Sequence, residues 1–269
     1  MTSPDGETWS KPENLSYFGQ GHYQISWLNN EKLATAFNFH PAPLGLNART
    51  NLYYMETTDM GKSWLTVGGI KLDTPITTTQ SRCVVRDYQA EGQLVYLKDL
   101  NYDRDGNPVI MYLTSRGFES GPKNDPRTWN TAHWTGDKWQ IYPITTSDSN
   151  YDFGSLYIEP GGVWRMIGAT GSGPQPYNPG GEIQMWVSTD QGTTWIMTKQ
   201  LTKDSKMNHT YPRRPYQAHP DFYALWADGN ARQPSESSLY FTNREGSHVW
   251  RLPPKMNSDV QSPEMVDPH

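Results

Sequence analysis

Residues 57–64 read TTDMGKSW, and residues 188–195 read STDQGTTW. Both segments fit the pattern S/T-x-D-x-G-x-S/T-W, and residues 3–9, SPDGETW, are a version one residue shorter. In such a segment the Asp carboxylate can accept backbone N–H bonds across a tight turn, Gly supplies a positive φ, and Trp packs beneath a hairpin. Three copies of one turn predict a repeat architecture.

The repeated segment resembles the Asp box, or BNR repeat, of sialidase-type β-propellers. In that family the box joins the outer two strands of a blade and lies far from the active site. The resemblance therefore implies a fold and says little about chemistry. It implies an all-β chain, a β-propeller of four-stranded blades from a family of seven-bladed rings.

The composition agrees with many short strands joined by turns. The chain has 11 Trp, 16 Tyr, 23 Gly and 21 Pro in 269 residues, and no long stretch shows sustained helical spacing of apolar residues. Short apolar or alternating runs are bounded by Gly, Asn, Asp and Pro instead. Clear turns are predicted at residues 103–107, 136–137 and 160–162.

No linker divides the chain, so we predict one propeller domain over residues 1–252 and a C-terminal tail over residues 253–269. Met1 stands two residues before the first Asp box, which places the start of the chain inside a blade. At about 40–50 residues per blade, the chain suffices for five to six blades. The ring is therefore either smaller than its relatives or truncated at the N-terminus, and we favour truncation.

Charge and composition exclude several classes of function. The net charge of −5 and the lack of a basic run argue against nucleic-acid binding. No apolar run could span a bilayer, and Met1 does not begin a signal-peptide pattern. Cys83 is the single cysteine, which excludes an internal disulfide. We expect a monomer that is secreted or periplasmic in its full-length parent.

Four residues in separate segments could converge at the mouth of a propeller. His22 and His40 lie at opposite ends of one predicted hairpin, Tyr151 opens the segment YDFG, and Arg165 lies on the strand after it. A lone His or Tyr is more often packed in a core than catalytic, so each of these residues alone is a weak signal.

Their order gives a narrower resemblance, to propeller-fold ulvan lyases and related BNR-type lyases of uronate polysaccharides. The blocks that carry it span most of the chain: GHYQ at 21–24, YDFGSLYIEPGGVWR at 151–165, GPQPYNPGGEIQMWVSTDQG at 173–192 and YPRRPYQAHPDFYALWADGN at 211–230. The sequence spacings between His22 and His40 and between Tyr151 and Arg165 are slightly shorter than in those lyases. The resemblance implies that His22, His40, Tyr151 and Arg165 are catalytic.

β-Elimination explains why these residue types would be needed. A uronate has a weakly acidic proton next to its carboxylate, and Arg165 could neutralise the charge that builds there. His22 is the candidate base, and Tyr151 the acid that protonates the departing oxygen or a second base. His40 would orient the uronate or neutralise its charge. The roles of His22, His40 and Tyr151 could permute.

Two further pairs are candidates for substrate binding. Arg213 and Arg214, stiffened by flanking prolines, could bind a carboxylate or sulfate, or one of them could pair with an acid such as Asp221 or Glu236 as a brace between blades. Tyr177 and Asn178 lie in the Gly- and Pro-rich loop at 168–181, and long ordered loops on a propeller often shape the binding mouth.

The chemistry requires no cofactor. Some lyases of this group carry a structural metal, but His209, His219 and Cys83 match no standard zinc spacing, so no metal site is predicted here.

The leading hypothesis is a lyase that acts on an anionic, uronate-containing polysaccharide such as ulvan. A glycoside hydrolase of the same propeller family, acting on a rhamnose–glucuronate bond or as a sialidase, is the alternative. Hydrolysis ordinarily needs two carboxylates, and Asp152, Glu159 and Glu182 are available. A sialidase also needs an arginine triad that we cannot place. A non-catalytic glycan-binding propeller is the third reading, since Trp and Tyr are abundant.

Overall fold

The computed structural model describes residues 1–266. Its regular structure consists of four antiparallel sheets and two short 3₁₀ helices, Gly45–Ala48 and Pro122–Asn124. The predicted all-β fold is confirmed, and two of the sheets have four strands.

The first two sheets occupy the N-terminal half of the chain. The strands of the first sheet are β1 (Gln24–Asn29), β2 (Lys32–Phe39), β3 (Thr50–Thr57), β4 (Trp64–Leu65) and β5 (Lys71–Leu72), with β6 (Val84–Arg86) paired to β3. Those of the second are β7 (Leu94–Tyr102), β8 (Pro108–Ser115), β9 (Arg127–Trp134) and β10 (Trp139–Ser147).

The other two sheets follow in the same up-and-down order. The third contains β11 (Gly154–Ile158), β12 (Trp164–Gly171), β13 (Glu182–Ser188) and β14 (Ile196–Gln200). The fourth contains β15 (Asn208–Arg213), β16 (Ala224–Gly229), β17 (Leu239–Thr242), β18 (Val249–Arg251) and β19 (Glu264–Val266). The segment predicted as a tail thus adds strand β19 to the fourth sheet. Its last three residues lie outside the described residues.

The first strands of the four sheets lie side by side, since β1 contacts β7, β7 contacts β11 and β11 contacts β15. They run in the same direction. Tyr102 at the end of β7 bonds to the Trp27 carbonyl, and Asn101 bonds to the Leu156 carbonyl of β11. The N-terminal ends of these four strands, and the loops that lead into them, therefore lie at one end of the molecule. We call this end the upper end.

Consecutive sheets pack face to face through apolar side chains. Between the first two sheets the buried residues include Leu52, Tyr54, Val95, Ile110 and Tyr112. Between the second and third they include Leu113, Trp129, Leu156 and Met166, and between the third and fourth Tyr157, Ile183, Met185 and Trp226. Strand β8 is buried along its whole length. The core is thus a series of layers between neighbouring sheets.

Two Asp boxes form the predicted turns between the third and fourth strands of their sheets. In the second of these, Asp190 accepts hydrogen bonds from Thr194 N–H at 2.9 Å and the Thr194 hydroxyl at 2.6 Å. These bonds lower the pKa of Asp190 to about 2, and bonds from Ser63 do the same for Asp59. The boxes join β3 to β4 and β13 to β14, as the resemblance implied.

The box at residues 3–9 forms the same local turn but joins no strands. Asp5 accepts the N–H groups of Glu7 and Thr8, yet Trp9 is 55% exposed because no sheet lies beneath it. The prediction of five to six blades is wrong for the described residues, which form four sheets. The first strand begins at Gln24, and long loops take up the chain length that extra blades would need.

The two boxes that join strands make a matched stability test. Gly61 and Gly192 occupy the same box position with φ of +84° and +82°, but a Cβ on Gly192 would lie 2.7 Å from Trp164, whereas one on Gly61 meets nothing within 4 Å. We expect Gly192→Ala to destabilise the protein by ~1–3 kcal/mol more than Gly61→Ala, because only the former adds overpacking to backbone strain. Urea denaturation of both variants measures this difference, and equal losses would contradict the packing.

Candidate active site

The topology brings several predicted site residues to the upper end. His22 precedes β1, His40 follows β2, Arg49 precedes β3 and Tyr151 precedes β11. Because β1, β2 and β3 are antiparallel neighbours, the start of β1, the end of β2 and the start of β3 meet at one edge. Tyr151 reaches the same edge because β11 runs parallel to β1 through β7.

Arg49 is at the centre of this group. It is 4% exposed, and its guanidinium carbon lies 5.0 Å from the ring centre of Tyr23, 4.5 Å from that of Tyr96 and 5.5 Å from that of Tyr151. Its Nε donates to the Leu46 carbonyl at 2.9 Å. We call Arg49, these three tyrosines and His40 the Arg49 cluster.

In the described part of the chain, no acidic side chain neutralises this cation. Among residues 1–266, no carboxylate oxygen lies within 4.0 Å of Arg49. Cation–π contacts with the three rings offset part of its desolvation. A buried charge without a counter-ion is costly, so the Arg49 cluster is suited to an anionic group supplied by a ligand.

His40 is a neutral imidazole beside this cation. It is 6% exposed, its ring centre lies 5.0 Å from that of Tyr23, and its Nε2 is buried without a hydrogen-bond partner. Burial, followed by the positive charges of Arg49 and His22, lowers the pKa of His40 to about 4. At neutral pH the ring therefore carries no charge.

His22 lies close enough to affect His40 and has a fixed tautomer. Its Nδ1 is 2.9 Å from the Asn38 carbonyl oxygen. Because a carbonyl can only accept, Nδ1 carries the proton of the neutral ring and Nε2 keeps a free lone pair. Phe18 packs edge-on against the ring at 4.9 Å between centres. His22 is thus arranged as a base.

Tyr151 presents a hydroxyl group to the same space. It is 40% exposed, and its oxygen accepts a hydrogen bond of 3.2 Å from Arg49. Since the oxygen acts as an acceptor there, its own proton remains free to be donated to a ligand. The ring of Tyr96 supports Tyr151 edge-on at 5.6 Å.

Lys98 fixes the residue that precedes Tyr151. It is 2% exposed, and its Nζ donates to the Asn150 carbonyl at 2.8 Å and lies 4.5 Å from the ring centre of Phe153. Burial lowers the pKa of Lys98, and the charges of Arg49 and Arg213 act in the same direction. The Lys98 amine therefore lies directly behind the Arg49 cluster.

Asp152, the residue that follows Tyr151, is itself held in place by hydrogen bonds. It is 1% exposed, burial raises its pKa, and its carboxylate accepts the N–H groups of Ser149 at 3.0 Å and Gly180 at 2.8 Å. The bond to Gly180 attaches the loop at 172–181 to the segment that carries Tyr151. Lys98 and Asp152 together hold Tyr151 in place.

The two adjacent arginines have different surroundings. Arg213 is exposed, with its guanidinium carbon 5.0 Å from the ring centre of Phe153, and its charge reaches Lys98. Arg214 lies over Trp27 at 4.2 Å and 3.5 Å from Asp99. Arg213 therefore lies beside Phe153 and near Lys98, whereas Arg214 is the brace between sheets, with Asp99 as its acidic partner.

Arg165 is not brought to the Arg49 cluster. Its Nε donates to Glu159 at 2.9 Å. On strand β12 it is the register partner of Tyr157 on β11, which lies three residues after Gly154 and so farther from the upper end. That offset corresponds to about 10 Å along a strand. The alternation and register of the sheet place Arg165 in a separate ion pair.

Tyr177 and Asn178 lie half-buried at the edge of the site. Tyr177 has a φ of +61°, its carbonyl accepts a hydrogen bond from Ser120, and its ring centre is 6.0 Å from the Arg127 guanidinium carbon. Asn178 donates to the Pro176 carbonyl at 2.9 Å. The Gly180–Asp152 bond connects their loop to Tyr151.

Sequence reasoning missed Arg49, Lys98, Tyr23 and Tyr96. Arg49 had one usable signal, since it directly precedes a strand that pairs with the strand leading to His40. Lys98 had none, because it reads as an ordinary residue of an apolar strand. Within residues 1–266, no group of three or more His, Cys, Asp or Glu side chains could hold a metal ion. No helix in this range is long and apolar enough to cross a membrane.

Residues 11–147, just over half of the chain, match the family model described as a BNR repeat-containing family member. The chain belongs to this BNR repeat-containing family. No curated protein matches it.

Solved structures with a similar fold include polysaccharide lyases. A PL25 ulvan lyase bound to -[GlcA(1-4)Rha3S]- has a TM-score of 0.66 at 17% identity, over 83% of this chain and 52% of that chain. The polysaccharide lyase Uly1 has a TM-score of 0.55 at 9% identity, over 82% and 45%. A protein of unknown function from Dyadobacter fermentans DSM 18053 has a TM-score of 0.54 at 16% identity, over 91% of this chain and 67% of that chain.

These likenesses confirm the predicted fold, the propeller fold of ulvan lyases. This BNR repeat protein spans about half the length of the ulvan lyase structures that it matches. At such low identity these likenesses show a shared fold and no more.

The charge environment of His40 can be tested directly. Arg49→Met removes the cation that helps to lower the pKa of His40, so we expect that pKa to rise from about 4 toward 6.5. In the wild-type protein, the unfolded chain takes up this proton near pH 6.5 and the folded chain only near pH 4, so the free energy of unfolding decreases as the pH is lowered through this range. In the variant this decrease should be smaller. NMR titration of the imidazole Cε1–H signal measures the pKa.

Arg213→Met serves as the control, since Arg213 is not among the groups that shift His40. An unchanged His40 pKa in Arg49→Met would contradict the geometry of the cluster.

Proposed function

We propose that this BNR repeat protein is a polysaccharide lyase that cleaves a uronate-containing polysaccharide by β-elimination. The observation that carries the proposal is the buried Arg49 guanidinium, which has no acidic partner among residues 1–266 and lies beside the Tyr151 hydroxyl and the His40 imidazole. This combination suits the binding and deprotonation of a uronate.

In this proposal Arg49, rather than Arg165, binds the uronate carboxylate. Removal of the proton on the adjacent carbon places negative charge on that carboxylate, and a guanidinium stabilises it through paired hydrogen bonds. Arg165 is already paired with Glu159. Arg213 adds positive charge near Lys98, behind this position.

His22 takes the proton, and Tyr151 donates its own to the departing glycosidic oxygen. The carbon–oxygen bond breaks as a carbon–carbon double bond forms in the uronate ring. His22 suits the base because its Nε2 lone pair is free, whereas the low pKa of His40 makes His40 a weaker base. His40 is assigned to orient the uronate.

The carboxylates that hydrolysis would need are occupied. Asp152 accepts two backbone N–H groups, Glu159 accepts from Arg165 and Tyr223, and Glu182 accepts from Thr202 and Ser205. A pair of free carboxylates on either side of a glycosidic bond is not formed by these three. This favours elimination over hydrolysis.

The local charge agrees with an anionic substrate. The chain as a whole carries −5, but the residues around the site include Arg49, Lys98 and Arg213, and Asp152 is the acid next to Lys98. The similar ulvan lyase is bound to a sulfated glucuronate–rhamnose chain. We propose a polysaccharide that contains glucuronate or a similar uronate as substrate.

The test is to incubate the protein with ulvan, glucuronan and arabinogalactan fragments and to follow absorbance at about 235 nm, where an unsaturated uronate absorbs. Elimination gives a rise in absorbance. New reducing ends without that rise would mean hydrolysis, and binding without either would mean a glycan-binding module.

Arg49→Lys keeps the charge and loses the paired hydrogen bonds, so we expect kcat/KM to fall by about 10- to 100-fold. Arg165→Lys is the matched control, with an expected change below about twofold. Initial rates at 235 nm and melting temperatures of both variants are measured. A larger loss of kcat/KM in Arg165→Lys, at equal stability, would restore Arg165 to the catalytic set.

His22→Gln and Tyr151→Phe remove the proposed base and acid. Each should lower kcat by about 10²–10⁴-fold with substrate binding retained, because proton transfer contributes at the transition state. The matched controls are His248→Gln, at an exposed histidine, and Tyr142→Phe, which also loses one hydroxyl hydrogen bond. Comparable rates in variants and controls would exclude these roles.

A further inference from the structure

A cavity of about 660 Å³ lies outside the Arg49 cluster, between residues 171–174 and residues 203–205. We call it the outer pocket. The side chains of Glu182, Gln184, Gln200, Lys203 and Asp204 line it. Neither the Asp boxes nor the proposed mechanism uses these residues.

The outer pocket opens at the upper end, like the Arg49 cluster. Gly154 at the start of β11 pairs with Gly168, so the end of β12 at Gly171 and the start of β13 at Glu182 reach about the level of Tyr151. The segment that begins at residue 171 continues to Gly180, which binds Asp152. One loop therefore borders both sites.

The hydrogen-bonding groups of the outer pocket include both donors and acceptors. Gln184 donates to Gln200 at 2.8 Å and accepts from Thr170 at 2.6 Å, which fixes both amide orientations. Trp186 is the next residue on the same face of β13, and its Nε1 donates to Thr170. Amide groups held in fixed orientations suit a sugar, whose hydroxyl groups both donate and accept.

The charge of the outer pocket is opposite to that of the Arg49 cluster. Its lining carries the carboxylates of Glu182 and Asp204 and the single ammonium of Lys203. Glu182 is held as an acceptor by the Ser205 N–H at 2.9 Å. The lining therefore has net negative charge, which disfavours a sulfate or a second uronate.

We infer that the outer pocket binds an uncharged sugar of the polysaccharide whose uronate occupies the Arg49 cluster. This inference rests on the proposed function and narrows its substrate class. The protein selects a chain in which uronates are separated by uncharged sugars, in preference to a polymer of uronate alone or one that carries sulfate on the neighbouring sugar.

The first test uses a probe without any charge, a desulfated ulvan oligosaccharide with its carboxyl groups reduced to alcohols. We expect this probe to shift the NMR signals of the Gln184 and Gln200 side-chain amides. The signal of Gln140, on the outer strand β10, is the internal reference. Unshifted Gln184 and Gln200 signals at millimolar probe would overturn the inference.

The second test reverses one charge. Asp204→Lys should change the ratio of dissociation constants for sulfated and desulfated ulvan oligosaccharides by about three- to tenfold in favour of the sulfated form. Asp137→Lys makes the same change at an exposed turn at the opposite end of the strands, and should leave the ratio unchanged. Calorimetry measures both, and equal ratios in the two variants would overturn the inference.

These binding measurements need no cleavage. If absorbance at 235 nm does not rise with any substrate while the uncharged probe still binds at Gln184 and Gln200, the lyase proposal fails and the sugar-binding pocket stands. If cleavage occurs and the probe does not bind, only the outer pocket is excluded.

Discussion

The structure depends on the parallel alignment of β1, β7, β11 and β15. This alignment is held by apolar layers between neighbouring sheets, with Trp129, Trp164 and Trp226 among the largest fully buried side chains. Because the four strands start at one end, the loops that enter them are brought together there. Residues more than a hundred positions apart, such as Arg49 and Tyr151, thereby form a direct hydrogen bond.

The buried guanidinium of Arg49 has a desolvation cost that an anionic ligand can offset. A buried guanidinium needs compensation for its lost hydration, and here it receives one carbonyl, one phenol and the faces of three tyrosine rings. Those groups compensate a cation less well than a carboxylate does. The lowered pKa values of His40 and Lys98 have the same origin, since both groups face burial and Arg49 together.

The sequence predicted the parts of the fold that depend on local chemistry. The Asp boxes at 57–64 and 188–195 and the turns at 103–107, 136–137 and 160–162 all separate consecutive strands, because Gly, Asp and Pro act within a few residues. The number of sheets was not predictable in this way. A loop such as residues 172–181 consumes chain length without adding a strand, and the Asp box at 3–9 folds as a turn with no sheet beneath it.

The site was predictable in part for a similar reason. His22, His40 and Tyr151 flank strands, and their position at strand ends survives small errors in register. Arg165 lies inside a strand, where a shift of a few residues moves a side chain by about 10 Å or to the other face. The side chain that approaches Tyr151 is Arg49, which is distant in sequence, so no local pattern links the two residues.

Charge links the parts of the site to one another. An anion bound at Arg49 would favour the protonated forms of His40 and Lys98 and so reduce the desolvation cost that now lowers their pKa values. Binding of a uronate is then coupled to proton uptake by the groups around it, while His22, with Nδ1 held by Asn38, keeps Nε2 for the substrate proton. The same loop that Asp152 holds carries the negative outer pocket at its far end. With the outer pocket assigned to an uncharged sugar, the proposed site selects a substrate by the alternation of its charges, as well as by its total charge.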